Sequence, residues 1–310
     1  MGHEYLALVF LGRNRWWRYA LSLILILVLW FVGGSLLYLA PVLFGALFVL
    51  AAGGSGSDAD WSALSIEELQ SLIPQPLVFL AMFLTFLPLL AGVMLAVRLI
   101  HGRPLWSLIT PRRRVNWRRV WQGFWVFGLL VAALTALEAV LYPGRYAVTF
   151  DAARFWPFLI LGVILIPMQT TAEELLFRGY LTQGLGLLIK RPLLLAAVSG
   201  LLFTLPHLSN PELSAGFWWV APQYFIVGFG LVMMTLADKS LELALGVHAA
   251  NNLFVGLIAT FPDSAIQSET IFASSVLDPA WSFFSVIVAY GGFYLIMFGL
   301  RPGIFRNGRG

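Results

Sequence analysis

The chain contains no cysteine. That excludes a disulfide framework, a thiolate nucleophile and a cysteine-ligated metal, and it leaves the redox compartment unreadable from this residue type. Charge is nearly as scarce: 11% of the 310 residues are Asp, Glu, Lys or Arg, against 60% that are hydrophobic. Soluble domains carry roughly a quarter charged residues, so a soluble globular fold is excluded. No repeat of fixed period or inverted symmetry links the two halves, which speaks against a repeat-built carrier. The net charge of +4 does not indicate nucleic acid, because the arginines lie in short loops between apolar runs, where they set membrane orientation. The composition describes a polytopic membrane protein.

A bilayer crossing needs about 20 apolar residues, and eight stretches qualify: Tyr19–Ala51, Pro76–Leu99, Trp121–Leu141, Phe155–Leu188, Pro192–Leu208, Ala215–Ala237, Leu241–Thr260 and Trp281–Leu300. The expected fold is all-α, about eight transmembrane helices around an intramembrane polar cavity. The first run is too long for the ~7–15 apolar residues of a signal peptide, so it is expected to be retained despite the small residues from Ala51 to Ser55. Gly33, Gly34 and Pro41 mark where it can kink. Seventeen of 19 basic residues fall on one side of this eight-span reading; only Arg145 and Arg154 fall on the other. Basic loops stay in the cytoplasm, so both termini are expected there. Tryptophans 16, 17, 106, 117, 121, 218, 219 and 281 cluster near span ends, as interfacial anchors do. The Arg112–Arg114 cluster suits anionic lipid headgroups.

Few polar side chains remain at depth. Glu138 closes the third span, where a snorkelling or capping role accounts for it. Glu173, Glu174 and Arg178 lie in the fourth, His207 ends the fifth, and His248, Asn251 and Asn252 lie in the seventh. A charged group at a helix centre costs ~2.5–3.5 kcal/mol on insertion scales, so these residues need partners. Glu174 and Arg178 are four apart and can pair on one helix face, whereas Glu173 is rotated by about 100° from Glu174 and faces elsewhere. Glu173 and His207 lie equally far from the turn near Lys190, so an antiparallel pair of helices puts them at one level. His248 and Asn252 share a face, and His248 reaches that level only if the Lys190 turn extends beyond the membrane surface. A carboxylate and an imidazole can activate water, and a second imidazole with a carboxamide can stabilise an oxyanion. Glu173 is therefore expected as base, His207 as its partner, and His248 with Asn252 as the oxyanion hole. Glu174, Arg178 and Phe203 support them. Gly179, Gly200 and Gly246 are expected to let helices approach closely.

Glu173-Glu174-x-x-x-Arg178, Phe203-x-x-x-His207 and His248-x-x-x-Asn252 occur in this order, each in a separate apolar span. Together they resemble the CPBP intramembrane proteases, which include the type II CAAX prenyl endopeptidases and bacterial abortive-infection and bacteriocin-immunity relatives. The resemblance covers roughly residues 155–260 and implies an eight-helix, glutamate-dependent protease that acts on water. The chain then divides into helices one to three (1–154), a protease core (155–262), and a last helix with a cytoplasmic tail (263–310), within a single membrane domain. No cofactor is required, although Glu173, His207 and His248 are a conceivable zinc set; there is no HExxH, and Asn is a poor zinc ligand. The partners implied are membrane lipids and a peptide or protein substrate, lipidated or otherwise hydrophobic, and no nucleic acid. Two other classes use the same residues: a non-catalytic scaffold or immunity-type protein, and a proton-coupled carrier.

Overall fold

The computed structural model describes residues 2–51 and 66–299. Asp58, Asp60, the small residues 52–55 and the C-terminal arginines 301, 306 and 309 lie outside the described residues, as does the side chain of Glu67. Among the described residues, six helices are long and apolar enough to cross a membrane: α1 (Trp16–Ala51), α2 (Gln75–Ile100), α3 (Trp117–Leu141), α4 (Ala152–Leu185), α6 (Phe217–Asp238) and α8 (Pro279–Phe298). Two shorter apolar helices, α5 (Pro192–His207) and α7 (Glu242–Ile258), occupy the fifth and seventh expected spans. The chain is a mostly helical, multi-pass membrane protein.

Local chemistry sets the helix ends. Asp151 caps α4 by accepting from the backbone N–H of Ala153 and Arg154, and Asp278 caps α8 by accepting from Trp281 N–H. These caps satisfy donors that a helix start otherwise leaves unpaired. The outward faces of α1 and α3 carry exposed Leu36, Phe44, Leu47, Trp121, Trp125 and Leu129, a surface suited to lipid and not to water. The kink expected in α1 is a π-helical turn, Leu29–Gly33, whose glycine lets Pro88 of α2 approach.

The core forms where α4 and α7 pack among the others. Leu89, Val93, Phe127, Leu175, Phe177, Phe203, Leu231, Leu243, Val247 and Phe293 belong to one buried cluster. Close approach has a sharp cause at Gly246. A Cβ there would lie 2.0 Å from the Val120 carbonyl oxygen and 2.7 Å from Phe124 N, so only glycine permits the α3–α7 contact. At the α5–α6 contact, a Cβ on Gly228 would meet Gly200 Cα at 2.9 Å.

The connecting segments add one small feature to the helical fold. The connections after α3 and α7 form a three-stranded sheet of β1 (Tyr146–Val148), β2 (Ala259–Thr260) and β3 (Phe272–Ser274). β3 pairs antiparallel with β1, Tyr146 opposite Ser274, and parallel with β2. Strands of two or three residues are too short to leave an alternating pattern in the sequence.

Candidate active site

The chemistry of the site begins in α4. Glu173 and Glu174 end its regular α-helical part, and a π-helical turn, Leu175–Leu181, follows at once. Such turns frequently mark functional positions. Arg178 Nη1 lies 2.9 Å from Glu174 Oε1, and both side chains are fully buried. The expected pair is present, but Glu174 does more than neutralise Arg178. The same Oε1 also accepts a hydrogen bond from His248 Nδ1 at 2.8 Å. Glu174 thus joins α4 to α7 and fixes the imidazole ring.

His248 then points its Nε2 to within 3.6 Å of Glu173 Oε2, too long for a hydrogen bond and within ion-pair reach. With Nδ1 committed to Glu174, Nε2 is the ring atom left for chemistry. Unlike Glu174, Glu173 lines a cavity of about 530 Å³, together with Gln169, Phe203, His207, Tyr224, His248 and Asn252. Glu173 and His207 therefore share one cavity.

His207 ends α5, its Nδ1 donating to the Phe203 carbonyl at 2.7 Å. Its ring stacks between Phe203 (centroids 4.4 Å apart) and Tyr224 (4.5 Å). Phe203 also lies edge-on to His248 and beneath the Arg178 guanidinium at 4.1 Å, so one aromatic ring touches three motif side chains. Both imidazoles hold Nδ1 on a fixed acceptor and leave Nε2 unspent.

Asn252 donates to Gln169 Oε1 at 3.1 Å, and its own oxygen accepts from Asn251 Nδ2 at 3.1 Å. A carboxamide has two N–H donors, so this chain uses one on Gln169 and leaves the other available. Asn251 is thus the residue that orients Asn252.

His248 reaches the level of Glu173 because α4 runs further past the site than α7 does. Glu173 is twelve residues from the end of α4, and His248 six from the start of α7. At ~1.5 Å per residue the α4–α5 turn projects roughly 9 Å further. The start of α7 is clamped: Glu242, fully buried, accepts from Arg112 Nη1 (3.2 Å), Asn116 N (2.7 Å) and Ser240 Oγ (3.0 Å). Arg112 therefore has a buried protein partner.

Several site residues escaped the sequence reading. Gln169 stands four residues before Glu173 on the same helix, and that spacing was the available signal. Tyr224 and its acceptor Glu212 left no comparable signal, because they come from α6 and the connection before it. Glu138 departs from the snorkelling expectation: it is buried, receives Arg145 Nη1 and Tyr146 Oη at 2.7 Å each, and lines the cavity. Trp281, expected at an interface, lines the cavity too.

Among the described residues, no three His, Asp or Glu side chains converge closely enough to hold a metal ion.

A family model described as type II CAAX prenyl endopeptidase Rce1-like matches residues 152–254, a span that contains every motif residue from Glu173 to Asn252. The chain is also 37% identical over 281 residues to a Bacillus subtilis (strain 168) protein named "Uncharacterized protein YyaK", covering 89% of this chain and 90% of that protein. No solved structure matches. Motifs, geometry and likeness agree, and the chain belongs to the Rce1-like type II CAAX prenyl endopeptidase family.

Proposed function

We propose that the chain is an intramembrane endopeptidase of a bacterial cytoplasmic membrane, crossing it eight times with both termini in the cytoplasm. The observation that carries the reading is the cluster at the end of α4: Glu173 on the cavity wall, its neighbour Glu174 sealed behind it, and His248 bridging them. The residues of 155–262 carry the chemistry, and Trp30, Phe86, Glu138 and Ser285 from the flanking helices complete the walls.

In this mechanism Glu173 takes a proton from the attacking water, a step worth typically 10²–10⁴-fold. The Nε2 of His207 is the second acceptor that orients that water. As the water oxygen bonds to the carbonyl carbon, the carbonyl oxygen becomes an anion. The free N–H of Asn252 and a protonated His248 Nε2 donate to it. Two carboxylates and one guanidinium leave the cluster one positive charge short of neutrality. A proton on His248 Nε2, 3.6 Å from the Glu173 carboxylate, supplies it. Collapse of the tetrahedral intermediate breaks the C–N bond, and the proton passes to the leaving amine. The substrate is a peptide with apolar flanks, lipidated or not, held by Phe83, Phe86, Phe127 and Val131. No step needs a metal.

Glu173→Gln keeps the shape and removes the base. It is expected to lower kcat on an internally quenched hydrophobic peptide by about 10³-fold, with an unchanged thermal unfolding midpoint in detergent. EDTA is expected to leave the rate unchanged. Full turnover in Glu173→Gln sinks the mechanism, and EDTA loss reversed by zinc sinks its metal-free form. A scaffold or immunity-type protein keeps its cellular phenotype in Glu173→Gln, and a carrier loses pH-dependent flux instead.

A further inference from the structure

The two ends of the helix bundle are built differently. At the end carrying the 101–116 connection, polar side chains are sealed into the protein. Arg103 donates to Gln183 at 2.8 Å, Gln183 donates to the Ser107 carbonyl at 2.8 Å, and His101 contacts Tyr180 Oη at 3.0 Å. Tyr5 Oη donates to the Leu108 carbonyl at 2.6 Å, so the N-terminal segment plugs this end. None of these residues lines the cavity.

At the opposite end the cavity wall continues into the connecting segments. Tyr146, Asn210, Glu212, Ser264, Ser274 and Asp278 all line it. Phe261, Ala265, Val276 and Leu277 do so as well. Every connection that contributes lies on the side holding only Arg145 and Arg154 of the 19 basic residues.

The lining also has one sign. Glu138, Glu173, Glu212 and Asp278 line the cavity, and among the described residues no Lys or Arg does. Arg145 neutralises Glu138 from behind and approaches Asp278 at 3.5 Å. Glu212 receives Tyr224 on one oxygen, while its other oxygen and Gln223 Oε1 are buried acceptors without a partner. An acceptor left this way costs about 1–3 kcal/mol, a cost that a donor on a ligand removes.

We infer that the cavity is entered from the non-cytoplasmic side, and that its substrate is an exported or membrane-anchored hydrophobic peptide presenting neutral or cationic groups to the Glu212–Gln223 wall. A free C-terminal carboxylate is disfavoured by the same wall. The inference rests on the orientation and catalytic reading proposed above and adds the side of entry and the charge of the substrate.

The absence of cysteine allows a direct test of the side. Val276→Cys and Ala265→Cys stand at the mouth, Val276 being 45% exposed, and Arg113→Cys stands in the basic loop. In intact cells a membrane-impermeant maleimide is expected to label the first two, and Arg113→Cys only after permeabilisation. The reverse pattern, or mouth positions that label only after permeabilisation or not at all, overturns the side of entry. With the purified full chain, a lysine-flanked quenched peptide is expected to be cleaved at least tenfold faster than a glutamate-flanked one. Glu212→Gln is expected to shrink that ratio, and an unchanged ratio overturns the role of this wall. Equal rates, or preference for glutamate, overturn the charge. Cleavage of neither peptide alongside outward labelling removes the catalytic reading and leaves the side of entry standing.

Discussion

Two adjacent glutamates with the same chemistry hold opposite positions because successive helical residues point about 100° apart. Glu173 meets the cavity, and Glu174 is spent on Arg178 and His248. Their substitutions should therefore separate. Arg178→Leu leaves a buried carboxylate without its guanidinium, and breaking such a pair costs about 3–5 kcal/mol. A drop of several degrees in the unfolding midpoint is expected, followed by tryptophan fluorescence in detergent; an unchanged midpoint contradicts the structural role. Asn252→Ala removes an oxyanion donor and is expected to lower kcat by about 10²–10³-fold with little change in KM. Asn251→Ala, which only frees the Asn252 carboxamide to turn, should cost less. The motif residues were legible because charge and amide are conspicuous in apolar runs. Gln169, Tyr224 and Glu212 were not, since neutral or loop-borne polar residues carry no such contrast.

Helices were legible to within a few residues, because a bilayer-length apolar run admits few other structures. Their irregularities were not. The π-helical turns at Leu175–Leu181 and Phe254–Ile258 begin one residue after Glu174 and two after Asn252, and hydrophobicity alone does not encode a change from i+4 to i+5 bonding. The three short strands were invisible for the same reason of scale. Helix contacts depend on single glycines, and Gly246 is the tightest. Gly246→Ala pushes a methyl into the α3 backbone, and overpacking costs about 1–3 kcal/mol where it can relax. Because Gly246 stands two residues before His248, the variant should lose both folded yield, read by size-exclusion chromatography, and peptide cleavage. Retention of both means that α3 and α7 pack less tightly than described.

At the scale of the molecule, the charge alternation anticipated an orientation but said nothing of where the cavity opens, because that depends on which connections fold over the helix ends. The sealed end is expected to be acid-sensitive. Burial holds His101 below its ordinary value of 6.5, so the folded protein keeps this ring neutral while the unfolded chain binds a proton. Stability is full above pH 6.5 and declines as pH falls below it towards the depressed folded value. Unfolding midpoints at pH 7.5 and 5.5 should differ by less in His101→Gln than in the parent chain; an equal difference removes His101 from this role. The Glu174–Arg178 pair has a consequence for biogenesis. Residue 248 follows Glu174 by 74 positions, so at roughly 5–20 residues per second α4 waits about 4–15 s before its imidazole partner has been synthesised. During that interval Glu174 has Arg178 one turn away on its own helix. The segment thus enters the translocon carrying its own counter-ion, and Glu173 alone must wait for the rest of the site to arrive.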